Sequence, residues 1–393
     1  MKEMKEVVIV EALRTPIGKR GGKLSTVRAD DLVVTLLNEV VKRTTVNPLE
    51  IEDVLIGCNT QIGECALDVA RTSVLASDLP YDIPGVSLNR QCASGMQAVQ
   101  FAAMEIMTGN ADIAIGGGVE KQSKYTIMMD AQFPEVTMPN PKTMKKYRFA
   151  NQGVSAEMIA KKYNLTREQL DKFALWSHQK AVRAIQEGRF KREIVPVEAP
   201  SPQKGAPSTI VDTDECPRPD TTLEKMATLK PAFMANGIIT AANSCPTNDG
   251  ACVMMLASRE KAQELGLKAR ATIKSMAVVG VDPVLMLLGP APATKKALKR
   301  TGMTLDQMDI IECNEAFSPV VLAAGIDLGV DFSSDPRLNP NGGAIALGHP
   351  TGSSGARLIT TMLHELERTN KKYGVATLCV GFGMGIATII GRD

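Results

Sequence analysis

The chain has little with which to bind a metal: three histidines in 393 residues, and eight cysteines of which none forms a C-x-x-C pair. A His-rich metal site is excluded, and a zinc reading lacks its spacing. Charge of either sign is also in short supply, since 45 Lys and Arg offset 43 Asp and Glu to leave +2. Neither nucleic acid nor a membrane surface is demanded by that balance, although a local basic strip remains suited to a phosphorylated ligand. No run approaches the ~20 apolar residues of a membrane span. The opening Met1–Glu6 leads into the short apolar run Val7–Val10, which is too short for a signal-peptide core and reads as a strand. The final Gly391-Arg392-Asp393 carries no peroxisomal address. Free thiols without an export signal point to a reducing cytoplasm.

What is present is ordinary globular composition, 44% hydrophobic and 22% charged, in a length that suggests two or three domains. Asp31 to Lys42 predicts a helix with Leu32, Val33, Leu36 and Val40 inward. Val54–Ile56 and Ile113–Ile115 predict strands. Ala93 to Met107, with Met96, Val99, Phe101 and Ile106, predicts a helix apolar nearly all round and therefore buried. Two segments recur: Ile51–Asn59 resembles Met308–Asn314, and Asp112–Gly118 resembles Val375–Gly381. The chain thus reads as α/β, with two related halves (1–118 plus 250–271, and 272–393). Between them, 119–249 reads as an inserted loop domain that covers a site. It holds one strong helix after Thr166, capped with Gln169 and stopped at Gly188, and a Pro-rich loop from Ala199 to Pro219.

Four positions carry possible chemistry. Cys92 falls between a strand-like segment and the buried helix; a thiol at a helix start faces free N–H groups that favour thiolate. The bland alternative is a structural core cysteine. His349 lies in Gly342–Gly355, mostly small residues that wrap a ligand more readily than they build a core. Its alternative is a loop histidine bonded to backbone; His178 and His364, on polar helical patterns, read as surface residues. Cys379 ends an apolar run and opens Gly381-Phe382-Gly383. A dinucleotide fingerprint would need a following helix, but Ile386–Ile390 reads as a strand. These glycines instead suit backbone N–H groups aimed at a thioester oxygen. Asn314 follows the strand Ile310–Ile311, where ligands meet open α/β sheets, or serves merely as an N-cap.

Together these segments resemble the thiolase family over essentially the whole chain. The motifs are Asn-Arg-x-Cys-x-Ser-Gly at 89–95, Asn-Glu-Ala-Phe at 314–317, Asn-Gly-Gly-Ala-Ile-Ala-Leu-Gly-His-Pro at 341–350 and Cys-x-Gly-x-Gly at 379–383. Weaker echoes are Ala12–Gly18, Ser155–Glu157 and Asn248–Ala251. The resemblance implies two duplicated βαβαβαββ halves in a layered α-β-α-β-α core. It implies that Cys92 is the nucleophile that takes the acyl group, His349 the base that activates it, and Cys379 the acid/base. One oxyanion pocket is expected from Asn314 through a water with His349, the other from the backbone N–H groups of Cys92 and Gly381. Arg218, Cys245 and Met286 are expected to contact CoA, with Lys225 and Lys230 offering charge to its phosphates.

The implied activity is cleavage of 3-ketoacyl-CoA by CoA, or condensation of two acetyl-CoA. CoA and acyl-CoA are then substrates, no metal or tightly bound cofactor is required, and a homodimer or homotetramer is expected. Four departures from the family's pattern are present: Asn151-Gln152, and Phe382 where Gly is common, bear on the acyl pocket, Leu287 replaces a usual Gly, and Cys245-Pro246, where a Ser-Gly pair is frequent, bear on a CoA contact. Three rival readings fit less well. A β-ketoacyl synthase commonly uses a second catalytic His, which this chain lacks. A non-catalytic acyl-CoA or lipid-binding relative would not need all three reactive side chains. A nicotinamide dehydrogenase rests only on the glycines after Cys379.

Overall fold

The first apolar run continues well past Val10, and the strand it opens, β1, spans Val7–Arg14. It is buried on both faces. Val8, Val10 and Leu13 enter one hydrophobic core while Val7, Ile9 and Ala12 enter another. The change of parity falls at a register shift between Ile9 and Glu11, a bulge that flips the alternation. Double-sided burial explains why the run reads as continuous rather than alternating.

The computed structural model describes residues 4–132, 140–203 and 205–393. After β1 come β2 (Gly18–Lys19), α1 (Ala29–Thr44), β3 (Asp53–Gly57), α2 (Val69–Ala76), β4 (Val86–Leu88), α3 (Ser94–Thr108) and β5 (Ile113–Lys121). An excursion then carries α4 (Pro141–Lys146), α5 (Gln152–Lys162), α6 (Arg167–Gln186), β6 (Val197–Ala199), β7 (Thr209–Val211) and α7 (Leu223–Ala227). β8 (Asn248–Ser258) returns to the sheet and α8 (Arg259–Glu264) leads out of it. The second set is β9 (Ala271–Gly280), α9 (Pro290–Thr301), β10 (Ile310–Cys313), α10 (Ser318–Leu328), α11 (Ala344–Leu347), α12 (Thr351–Arg368), β11 (Tyr373–Val380) and β12 (Met384–Gly391).

The two sets share one topology. The first runs β1-β8-β5-β3-β4 and the second β9-β12-β11-β10. In each, the first three strands are antiparallel neighbours and the fourth is parallel to the third. The place of β4 is taken in the second set by a single bridge, Ile311 to Leu338. The repeated segments of the sequence are β3 with β10 and β5 with β11, which hold equivalent places. β1 and β9 pair through Val8–Thr272 and Ile9–Ala271, which joins the sets into one path of nine strands, with β2 as a tenth paired to the side of β8.

Helices α1 and α2 cover the outer face of the first set, and α9 and α10 that of the second. Helices α3 and α12 pack on each other between them, touching strands of both sets. The layers are therefore α-β-α-β-α. Burial of Met96, Val99 and Ile106 on α3 is worth about 1.5–3 kcal/mol each. Phe101 was expected inward and is instead 38% exposed, so α3 keeps one open stripe. The predicted capping box is present on α6: Gln169 N–H donates to Thr166 Oγ1 at 3.3 Å, and Thr166 N–H donates to Gln169 Oε1 at 2.8 Å. The Pro-rich loop from Ala199 differs from expectation in that its β7 segment pairs back onto β6, the short strand that leads into it.

One close approach sets the site. A Cβ on Gly95, near the start of α3, would lie 2.6 Å from the carbonyl oxygen of Gly352, near the start of α12. Glycine lets the two helix starts meet. Cys92 precedes one of them and His349 the other.

Candidate active site

Cys92 is held by a tight turn rather than by helix. Gln91 takes a left-handed φ of +49°, an uncommon conformation for a side chain of its size. The turn is tied by Ala93 N–H to Arg90 O at 3.0 Å and by Arg90 N–H to Ser94 Oγ at 2.9 Å. Gln91 N–H donates to Asn89 Oδ1 at 2.7 Å, and Asn89 Nδ2 donates to Asn59 O at 2.7 Å. Helix α3 is capped by Ala93, so Cys92 lies just outside it. The N–H groups of the helix start, expected to favour the thiolate, thus begin one residue beyond Cys92. Burial pushes the thiol up to about 11, against which the Gly381 N–H pulls only partly. Cys92 rests protonated and needs a base.

His349 can be that base. Its backbone N–H donates to Asn248 Oδ1 at 2.8 Å, and Asn248 Nδ2 donates to Gly18 O at 2.9 Å. Gly348 before it has φ +111°, and a Cβ there would press on the Asn248 side chain. Ser354 Oγ donates to Pro350 O at 2.9 Å and lies 2.7 Å from His349 Nδ1. With its own hydrogen engaged, the serine accepts from Nδ1–H, which leaves Nε2 with the lone pair. Asn314 Nδ2 approaches that nitrogen at 3.5 Å. Burial, and secondarily the positive charge of Arg357, push the imidazole down to about 3, so it is neutral at rest.

Asn314 does not cap a helix; Phe317 holds the N-cap position of α10. Asn314 follows β10, fully buried, and its Oδ1 has no partner among the described residues. The next residue does the anchoring. Glu315 Oε1 accepts from Asn339 Nδ2 at 2.8 Å, and its Oε2 accepts from Ser177 Oγ at 2.6 Å and Ile345 N–H at 3.1 Å. These bonds pin α11, and with it the approach to His349, against α6. At the start of α12, Glu120 Oε2 accepts from Gly352 N–H and Thr351 Oγ1, both at 2.8 Å. Sequence reasoning passed over Ser354, Glu315 and Glu120 as agents. Glu315 lay within a quoted motif, Ser354 only in the run of small residues Gly342–Gly355, and Glu120 gave no signal beyond its place at a strand end.

Cys379 is the last residue but one of β11 and is 1% exposed. Burial, then the nearby sulfurs of Cys92, Cys313 and Cys245, push its thiol well above the usual range. The hairpin after it turns through Phe382 (φ +63°) and Gly383 (φ +82°). Left-handed backbone at Phe382 costs about 1–2 kcal/mol, which explains why glycine suits the position. A ring contact offsets part of it: Phe382 meets Phe149 edge to face at 5.9 Å, an arrangement worth about 0.5–1.5 kcal/mol.

Cys92, His349, Cys379 and Gly381 all line one cavity of about 530 Å³. Cys245 and Met286 line it too, as do Asn151, Gln152, Phe233 and Phe382. Arg218 does not; it is exposed, and its backbone N–H donates to His178 Nδ1 at 3.2 Å. Lys225 is bound to Asp220 at 3.0 Å, while Lys230 is exposed. The surface reading of the other two histidines is overturned, since His178 and His364 are both 7% exposed. His364 Nε2 lies 3.0 Å from Ala12 O and both ring nitrogens lie 3.3 Å from the Arg270 guanidinium. No helix of the described residues is long and apolar enough to cross a membrane.

A duplicated α/β fold, with a buried thiol, a neutral imidazole and a second thiol opening on one cavity, is the architecture of a thiol-dependent acyltransferase. Residues 7–260 match the family model for the thiolase N-terminal domain, and residues 267–392 that for the thiolase C-terminal domain. The chain is 46% identical to a 3-ketoacyl-CoA thiolase of Aliivibrio fischeri, over 99% of this chain and 100% of the relative. It is 43% identical to a beta-ketoadipyl-CoA thiolase of Acinetobacter baylyi, again over 99% and 100%. The crystal structure of the Bacillus anthracis acetyl-CoA acetyltransferase superposes with TM-score 0.91 at 38% identity, covering 100% of both chains. The chain belongs to the thiolase family.

Proposed function

We propose that the enzyme cleaves a neutral 3-ketoacyl-CoA with CoA, giving acetyl-CoA and an acyl-CoA shortened by an acetyl unit, and that it runs through an acyl group on Cys92. The observation that carries this is the shared cavity of Cys92, His349 and Cys379. His349 Nε2 takes the Cys92 proton as the sulfur attacks the 3-keto carbon. The backbone N–H groups of Cys92 and Gly381 hold the oxyanion of the tetrahedral adduct. As the C2–C3 bond breaks, Cys379 protonates the departing enolate, whose oxygen is held by His349 and by Asn314 through a water. The CoA thiol then gives its proton to the Cys379 thiolate and attacks the acyl group. Cys92 leaves as thiolate and recovers its proton from His349. Run backward, the same steps condense two acetyl-CoA.

Neither a lysine, an arginine nor an acidic side chain lines the cavity among the described residues. This supports a neutral acyl chain over the carboxylated one in the name of the Acinetobacter relative, because a buried carboxylate needs a partner. Arg218 and Lys230, exposed outside the cavity, are assigned to the CoA nucleotide. A homodimer or homotetramer working in the cytoplasm completes the reading. The test is CoA-dependent cleavage of a 3-ketoacyl-CoA series beside 3-ketoadipyl-CoA. Turnover of the neutral series well above 3-ketoadipyl-CoA is expected; no cleavage of any member contradicts the proposal.

A further inference from the structure

The Phe149–Phe382 ring pair has open space on both sides. One side faces the catalytic cavity of about 530 Å³. The same two rings line a second, outward-facing recess of about 510 Å³, whose other walls are Asn140, Thr143, Tyr147, Val281 and Pro283. Among the described residues, Phe149 and Phe382 alone belong to both linings. The pair is thus a partition one ring pair thick.

Its backbone is fixed on one side. Val281 N–H donates to Gly383 O at 2.8 Å, and a Cβ on Gly383 would lie 2.7 Å from the Cα of Pro283. The Phe382 main chain is therefore pinned against the 281–283 segment, and the ring itself decides whether the two spaces join. Phe149 is braced in turn by Tyr147, with ring centroids 6.2 Å apart at 61°. Among the described residues the recess is walled by aromatic and aliphatic surface with three uncharged polar side chains, Asn140, Thr143 and Tyr147, and no charge, and so suits a methylene chain rather than a charged group.

We propose that Phe382, with Phe149, is a specificity-determining residue that stops the acyl chain: the inner cavity takes short and medium neutral acyl groups, and the outer recess is closed to the tail. This rests on the thiolase reading above. Removing either ring joins the cavities and lets a longer chain pass. The experiment compares kcat/KM for CoA-dependent cleavage from acetoacetyl-CoA to 3-ketopalmitoyl-CoA in the wild type, Phe382→Gly, Phe382→Tyr and Phe149→Ala. In the wild type, kcat/KM should fall at the long end. Either truncation should raise the long-to-short ratio by at least about tenfold, the scale on which a hydrophobic pocket discriminates chain length, and Phe382→Tyr should keep the wild-type profile. An unchanged ratio in both truncations, or a wild type that already prefers 3-ketopalmitoyl-CoA, overturns the length stop while leaving the thiolase reading intact. A wild type that cleaves none of the series defeats the thiolase reading itself.

Discussion

His349 Nδ1 and Ser354 Oγ are 2.7 Å apart, and because Ser354 gives its own hydrogen to Pro350 O at 2.9 Å, the imidazole presents Nε2 as a base. The serine acts only through the histidine. Ser354→Ala should slow acylation of Cys92 by about tenfold or more, a fraction of what a positioned base supplies, with KM for acetoacetyl-CoA little changed. Pre-steady-state acylation checks this. An unaltered rate would mean that the ring is held without the serine.

Burial keeps all three histidines neutral when folded, His178 down to about 4 and His349 and His364 down to about 3. Unfolded, each protonates near the ordinary value of about 6.5. As pH falls through 6.5 the unfolded chain therefore takes up protons first. The stability these groups contribute is complete above that pH and declines by up to about 1.4 kcal/mol per pH unit for each group as pH falls toward the folded values. Glu312, pushed up to about 8 by burial, works oppositely between its ordinary 4.5 and 8. Proton NMR of the imidazoles separates the two: no histidine should titrate between pH 5 and 8.

Cys379 serves both the carbon acid and the CoA thiol, and the carbon acid, much the weaker of the two, depends on it more. Cys379→Ser should slow exchange of acetyl between CoA and Cys92 only partly, yet lose acetoacetyl-CoA cleavage by about 10²-fold or more. Isotope exchange from labelled CoA into acetyl-CoA, measured beside cleavage, tests the split. Equal losses in both reactions would move Cys379 into the acylation step.

Phe382→Gly removes left-handed strain and the ring contact together, and adds freedom to the unfolded chain. These effects oppose, so stability should change by no more than about 1 kcal/mol. Urea unfolding measures it. A much larger loss would show that the aromatic wall holds the hairpin in place.

That Cys92, His349 and Cys379 belong together was legible in sequence because each sits in a short run of small residues beside a buried element, and all three line one cavity. The duplication was legible for a similar reason: β3 and β10 repeat a local pattern. What escaped is what folding alone creates. Cys92 looked activated by the helix start, but its distance from water outweighs a dipole whose first residue it does not reach. His178 and His364 have polar sequence neighbours, yet the excursion around α6 and the packing of α12 bury them. Phe149 and Phe382 are remote in sequence, and no local pattern announces that their rings meet. Glu315 was visible only as a motif letter and Ser354 only as one small residue among many, their roles depending on Ser177 across the fold and on Pro350 O.

The most direct test of the central claim is rapid quenching of the enzyme with acetoacetyl-CoA in the absence of free CoA, followed by digestion and mass spectrometry of the cysteine peptides. One acetyl group on Cys92, formed with release of acetyl-CoA and lost in His349→Ala, is the expected result. An acetyl group on Cys245 or Cys379 instead, or acylation of Cys92 that is indifferent to His349, would contradict it.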